Sequence, residues 1–197
     1  MLGDIVSLIE LLFDRHEKAK EKKKEIFDKF VEPTYLEFES VHQGYLESFQ
    51  KYRSLIKTTD KPLNENHEVF ELIQEDHIFT EGQRLKLLNL VDVVTKSLSV
   101  AHNNNSEAGF NSAYSFVSSI YAYLTDVDSE IEDLGWETNA RRFTIFDALR
   151  NIAENESDLE TQRSEMLASL NPLIQDLQER YAKVNASYLE LRKSLIT

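Results

Sequence analysis

Apolar positions along this chain recur three and four residues apart, the spacing that lays side chains along one face of an α-helix. The pattern is clearest toward the C-terminal end, at Leu167, Leu170, Ile174, Leu177, Tyr181, Val184, Tyr188, Leu191 and Leu195. Tyr35, Phe38, His42, Tyr45, Phe49, Tyr52 and Ile56 repeat it with aromatic side chains. Both runs read as heptad seams, in which every first and fourth residue faces a neighbouring helix. A third stretch, 108–125, AGFNSAYSFVSSIYAYLT, carries no charged side chain and has two stripes. Phe110, Tyr114, Val117, Tyr121 and Leu124 form one; Ala113, Phe116, Ile120, Tyr123 and Val127 form the other. A helix apolar on two faces needs neighbours around most of its circumference. The pattern predicts the central helix of a bundle. Its length approaches the ~20 residues of a membrane span, but its serines, Asn111 and flanking acids favour a protein interior.

Between these landmarks the reading continues as helices and short loops. A first helix is predicted over 4–31, with Ile5, Leu8, Ile9 and Leu12 on its apolar face. From Asp14 to Glu25 only Ala19 is apolar, and the stripe resumes at Ile26, Phe27, Phe30 and Val31. Asp14–Lys18 and Glu25–Lys29, four apart, support the helix across this gap. Pro33 predicts a kink or a fresh start, because it has no N–H to give. A loop at 58–62 precedes a short helix over 66–79, carrying Val69, Phe70, Leu72 and Ile73. Thr80-Glu81-Gly82-Gln83 reads as a capping box opening a separate helix over 81–102. That helix, with Leu87, Val91, Val94 and Leu98 on one stripe and Leu85, Leu88, Leu90 and Val93 around it, is predicted to be largely buried. Ser106 is placed to cap the central helix, and Gly135 to stop it. A helix over 138–154 presents Phe143, Phe146, Leu149 and Ile152, and Ser157-Asp158-Leu159-Glu160 reads as a capping box for the last helix. Pro172 lies off the seam, where that helix is expected to kink or restart. The expected fold is all-α: one domain over 1–197, an elongated bundle of six or seven helices with long coiled-coil-like N- and C-terminal helices.

Composition sharpens this picture. Only 5 Gly and 3 Pro in 197 residues leave few tight turns, favouring a few long helices over many short strands. With Cys at 0 there is no disulfide framework, thiolate nucleophile or Cys-ligated zinc. Asp4 and Glu10 interrupt the N-terminal apolar segment and the basic residues follow it, the reverse of a secretory signal. Together these point to a cytoplasmic protein. The formal net charge of −13 opposes binding to nucleic acid or anionic membrane, whose phosphates demand Lys and Arg.

Catalytic chemistry finds little to stand on. Glu39-x-x-His42 has the spacing by which paired helices hold two metal ions. That arrangement needs a second such motif, and no other histidine has a glutamate three residues before it. His42 sits on an aromatic seam, where a hydrogen-bonded core histidine is the ordinary reading. Asp126-x-Asp128-x-Glu130 with Glu137 imitates a calcium-binding loop, but Ile131 occupies the place that needs glycine. There is no glycine-rich phosphate loop, no Gly-x-Ser-x-Gly elbow and no His-Glu-x-x-His. No catalytic, cofactor-binding or metal-ligating residue is assigned, and no cofactor is expected.

The expected function is therefore non-enzymatic: a helical interaction protein or assembly subunit that binds a protein partner or itself. Two charge clusters are candidate partner sites. One is the acidic tract Asp126, Asp128, Glu130, Glu132 and Asp133 with Trp136, the only tryptophan, where acids would steer a basic partner toward an aromatic anchor. The other is the lysine cluster Lys20, Lys22, Lys23 and Lys24, which would meet an acidic tract, including that of a second copy. Two other classes stay open. Residues 2–13 with the lysines that follow would suit peripheral membrane association, and Glu39 with His42 would suit a metal-carboxylate enzyme.

Overall fold

The computed structural model describes residues 24–25, 27–62, 65, 67–102, 108–125, 141–155 and 158–196. Among these there is no β-strand, and the all-α class holds. A π-helical turn, Phe27–Val31, runs directly into α1, Glu32–Thr58. It is followed by α2, His67–His102; α3, Ala108–Thr125; α4, Arg141–Glu154; and α5, Leu159–Ile196. At 1.5 Å per residue the 38 residues of α5 span about 57 Å.

Side-chain contacts set the helix directions. Tyr45 meets Glu81, Ser48 meets Thr80 and Lys51 meets Asp76, so α1 and α2 are antiparallel. Tyr35 meets Asn185 while Arg163 reaches Ile56, so α1 and α5 are antiparallel too. α3 packs on α2 and α5, and α4 packs on the same two helices. Hydrogen bonds place α3 beside the C-terminal half of α5, through Ser119–Ser187, and α4 beside its start, through Ala153–Gln162. The arrangement is four columns: α1, α2, α3 followed by α4, and α5. Both α2 and α5 touch α1, α3 and α4, whereas the uncharged helix α3, which the sequence singled out as central, lies between α2 and α5.

The seams are buried as their spacing demands. Tyr35, Phe38, His42, Tyr45, Phe49, Tyr52 and Ile56 all lie in the core, as do Leu170, Ile174, Leu177, Val184, Tyr188, Leu191 and Leu195 on α5. Leu167 and Tyr181 pack at its edge. On α3 the second stripe, Ala113, Phe116, Ile120 and Tyr123, is the deeply buried one, whereas Tyr114, Val117 and Tyr121 are half-buried.

The two prolines are absorbed differently. Pro33 falls in the first turn of α1, directly after the π turn. The wider π turn shifts the hydrogen-bond register just where Pro33 cannot donate, so the helical path continues through it. Pro172 lies within α5 on its exposed side, and the seam passes it in phase from Leu170 to Leu173 and Ile174.

The capping boxes are where the pattern misled. The separate helices expected over 66–79 and 81–102 are one helix, α2, and Thr80 is not a cap. Its hydroxyl donates to the Asp76 carbonyl one turn back, at 2.9 Å, and pairs with Ser48 at 3.1 Å. A threonine whose hydroxyl turns back onto its own helix continues that helix rather than opening another. Of the stretch over 81–102 expected to be largely buried, Leu87 and Val91 face inward, Leu88 and Leu90 are half-buried and Leu85 is exposed, while the side chains of Val93, Val94 and Leu98 lie outside those described. Gly82 lies within α2 at a cost of about 1 kcal/mol relative to alanine.

At the start of α5 the cap is Asp158 rather than Ser157, which lies outside the described residues. Asp158 Oδ1 accepts from the N–H groups of Glu160 and Thr161, both at 3.0 Å, and Oδ2 accepts from the Thr161 hydroxyl at 2.8 Å. Those bonds to the Thr161 backbone and side chain hold the Asp158 carboxyl below its usual range. A depressed carboxylate stabilises the fold above the unfolded-state pKa and loses that contribution as pH falls through the folded-state value. Asp158→Ala will therefore melt lower than the parent at neutral pH, and the gap will narrow below about pH 4. Thermal melts of both proteins across that range check it.

Candidate functional site

The sequence candidates for partner binding fall almost wholly beyond the described residues. Asp126, Asp128, Glu130, Glu132, Asp133, Trp136, Lys20, Lys22 and Lys23 are all outside them; Lys24 is exposed in a helical position. Residues 2–13, on which the membrane reading rests, are outside them too. No helix among the described residues is long and apolar enough to cross a membrane.

Glu39 and His42, the metal candidates, are engaged in a network that joins α1, α3 and α5. His42 is 6% exposed. Its Nδ1 is 2.9 Å from the Tyr123 hydroxyl, and its ring stacks on Tyr181 at 4.1 Å between centroids. Tyr181 donates its hydroxyl to Glu39 Oε1 at 3.0 Å. Tyr35 donates to Asn185 Oδ1 at 3.1 Å and stacks on Tyr188 at 3.8 Å. Phe38 sets its edge against Tyr123 at 4.8 Å, closing the cluster from within. Burial first, and then the bonds to Tyr181 and Glu39, push the Tyr35 phenol above its ordinary value. The Glu39-x-x-His42 pair thus serves two tyrosines, and among the described residues no three metal-ligating side chains converge. His42→Gln will keep the fold, lowering stability by about 1 kcal/mol through the altered Tyr123 bond. EDTA will leave the parent's melting temperature unchanged. A loss of several degrees with the chelator would contradict this account.

Three arginines do work that no motif announced. Arg84 of α2, 8% exposed, donates to the Leu124 carbonyl at 3.1 Å and pairs with Glu81 at 2.8 Å. Arg180 of α5 donates to the Ala122 carbonyl at 3.4 Å and is held by Asp176. Both reach carbonyls in the last described turn of α3. Arg163 does the same for α1, donating to the Ile56 carbonyl at 3.2 Å and the Thr59 carbonyl at 2.8 Å. Tyr52 lies near Asp76; burial and then that carboxylate raise its pKa. Neither its hydroxyl nor Asp76 Oδ2 makes a hydrogen bond of good geometry.

Comparison with protein families, curated proteins and solved structures returned no match.

The candidate that geometry offers is the outer face of α2. Ile78 is 63% exposed and Phe79 67%, with Leu72 and Leu85 exposed a turn or two to either side. Gly82 lies among them, and a methyl group added to it would meet nothing within 4 Å. Among the described residues the remaining large exposed apolar side chains, Leu36, Leu189 and Ile196, are spread over α1 and α5. Glu71 and Glu75 border the patch toward the start of α2 and Lys86 toward its end, all exposed. The sequence hid this face because Leu72 and Leu85 join the apolar pattern as readily as Ile73 and Leu87. Only the direction of α1 and α3 from α2 decides which of them is covered.

Proposed function

We propose that this chain is a non-enzymatic helical protein that works by docking a protein through the outer face of α2. The observation that carries the reading is the concentration of Leu72, Ile78, Phe79 and Leu85 on the solvent side of one helix. Exposed apolar side chains gathered in one place, with charges at the rim, have the make-up of a protein-binding patch. The distribution of polar groups supports the same reading: His42, Glu39, Arg84 and Arg163, the side chains best suited to chemistry, are bound to neighbouring helices. The three-and-four seams on α1 and α5 support a coiled-coil-like pairing of those helices, a stiff frame on which α2 is displayed.

The test is affinity purification from the native host with the parent chain and with Ile78→Glu/Leu85→Glu, read by mass spectrometry. The reading expects at least one stoichiometric protein, a second copy of this chain included, to be retained by the parent and lost from the variant. Identical recovery by both chains would remove the α2 face from the function.

A further inference from the structure

The occupant of that face is legible in its own layout. We infer that a second copy of this chain docks there, α2 against α2 and antiparallel, with the two helices crossing at Gly82. The inference rests on the docking role proposed above and names the partner.

Ile78, Gly82 and Leu85 follow one another four and three apart, so they form a seam along the solvent side of α2. In an antiparallel pair centred on Gly82, each Ile78 comes within one residue of the level of the second copy's Leu85, about 1.5 Å along the axis, and glycine faces glycine. A helix gives up stability by holding glycine in its interior, and among the described residues nothing lies within 4 Å of the place a side chain would take here. Two backbones that approach closely do use that space. The rim charges agree with the direction. Glu75 precedes the glycine and Lys86 follows it, so an antiparallel copy brings each Glu75 to within three residues of the level of the other's Lys86, about 4.5 Å along the axis, whereas a parallel copy sets like against like. A face that carries an acid on one side of its midpoint and a base on the other is complementary to itself under a two-fold axis. Phe79 and Leu72, seven apart, then lie along one flank of the contact.

The full chain in analytical ultracentrifugation will show a monomer–dimer equilibrium that follows mass action. Ile78→Glu/Leu85→Glu and, separately, Gly82→Leu will each weaken it at least tenfold. Neither changes a buried position, so both variants will retain the parent's helical circular dichroism. Because the chain contains no cysteine, Gly82→Cys introduces a single thiol. Under mild oxidation it will form a covalent dimer, while Ser40→Cys, on the exposed side of α1, will form little. A monomer at every concentration overturns the inference, as does a dimer untouched by both face variants or equal cross-linking at the two positions. If the parent is monomeric yet a different protein is retained in the purification and lost from Ile78→Glu/Leu85→Glu, the second copy is excluded and the docking face stands.

Discussion

Truncating Leu177 or Leu191 to alanine will lower the free energy of unfolding by about 2–5 kcal/mol. Each is 1% exposed and lies on the seam of α5, the helix against which α1, α3 and α4 are all laid. Removing the branched end of either side chain takes away its transfer energy and leaves a cavity that the packed neighbours close only in part. Denaturant unfolding of the two variants measures it. Losses below about 0.5 kcal/mol at both positions, which is what exposed sites give, would mean that the seam is not enclosed.

Replacing Arg84 with methionine will cost about 3 kcal/mol, although methionine is apolar and similar in length. The loss comes from what remains. The Leu124 carbonyl at the end of α3 loses its donor, and Glu81 keeps its charge in a half-buried place with only the Tyr45 hydroxyl at 2.8 Å retained. Removing one partner of a buried pair is far more harmful than removing both. Arg84→Met combined with Glu81→Gln will accordingly regain part of the stability. The four corners of that double-mutant cycle, measured by denaturant unfolding, check both statements. An Arg84→Met variant as stable as the parent would show that the arginine contributes packing alone.

How far the sequence could be read follows from the range of the interactions involved. The seams of α1 and α5 were visible because burial repeats every three or four residues, and each turn of helix reports on the next. The arginine contacts have no such signature. Arg84 meets Leu124 across 40 positions and Arg163 meets Ile56 across 107, so the pairing exists only after the columns assemble. Thr80 shows a different limit. Thr-x-x-Gln satisfies the cap pattern, and the same hydroxyl satisfies an interior helix position by bonding to the Asp76 carbonyl. With Ser48 of α1 placed opposite, the interior position is occupied and α2 runs on unbroken. In Ser157-Asp158-Leu159-Glu160 the pattern offers two cap candidates, and Asp158 makes three bonds to Glu160 and Thr161. Charge clustering drew attention to Asp126–Asp133 and to Lys20–Lys24. The face that the geometry offers is marked instead by apolar residues that a periodic reading assigns to the core.

The most direct test of that face is the thermal stability of Ile78→Glu/Leu85→Glu in dilute solution, set beside its ability to associate. If α2 presents these side chains to solvent and a docked protein covers them, the isolated variant will melt with the parent, within the roughly 0.5 kcal/mol typical of exposed sites, and will have lost its association. A melting temperature several degrees lower, with association unchanged, would mean that the chain itself covers the face, and would contradict the account.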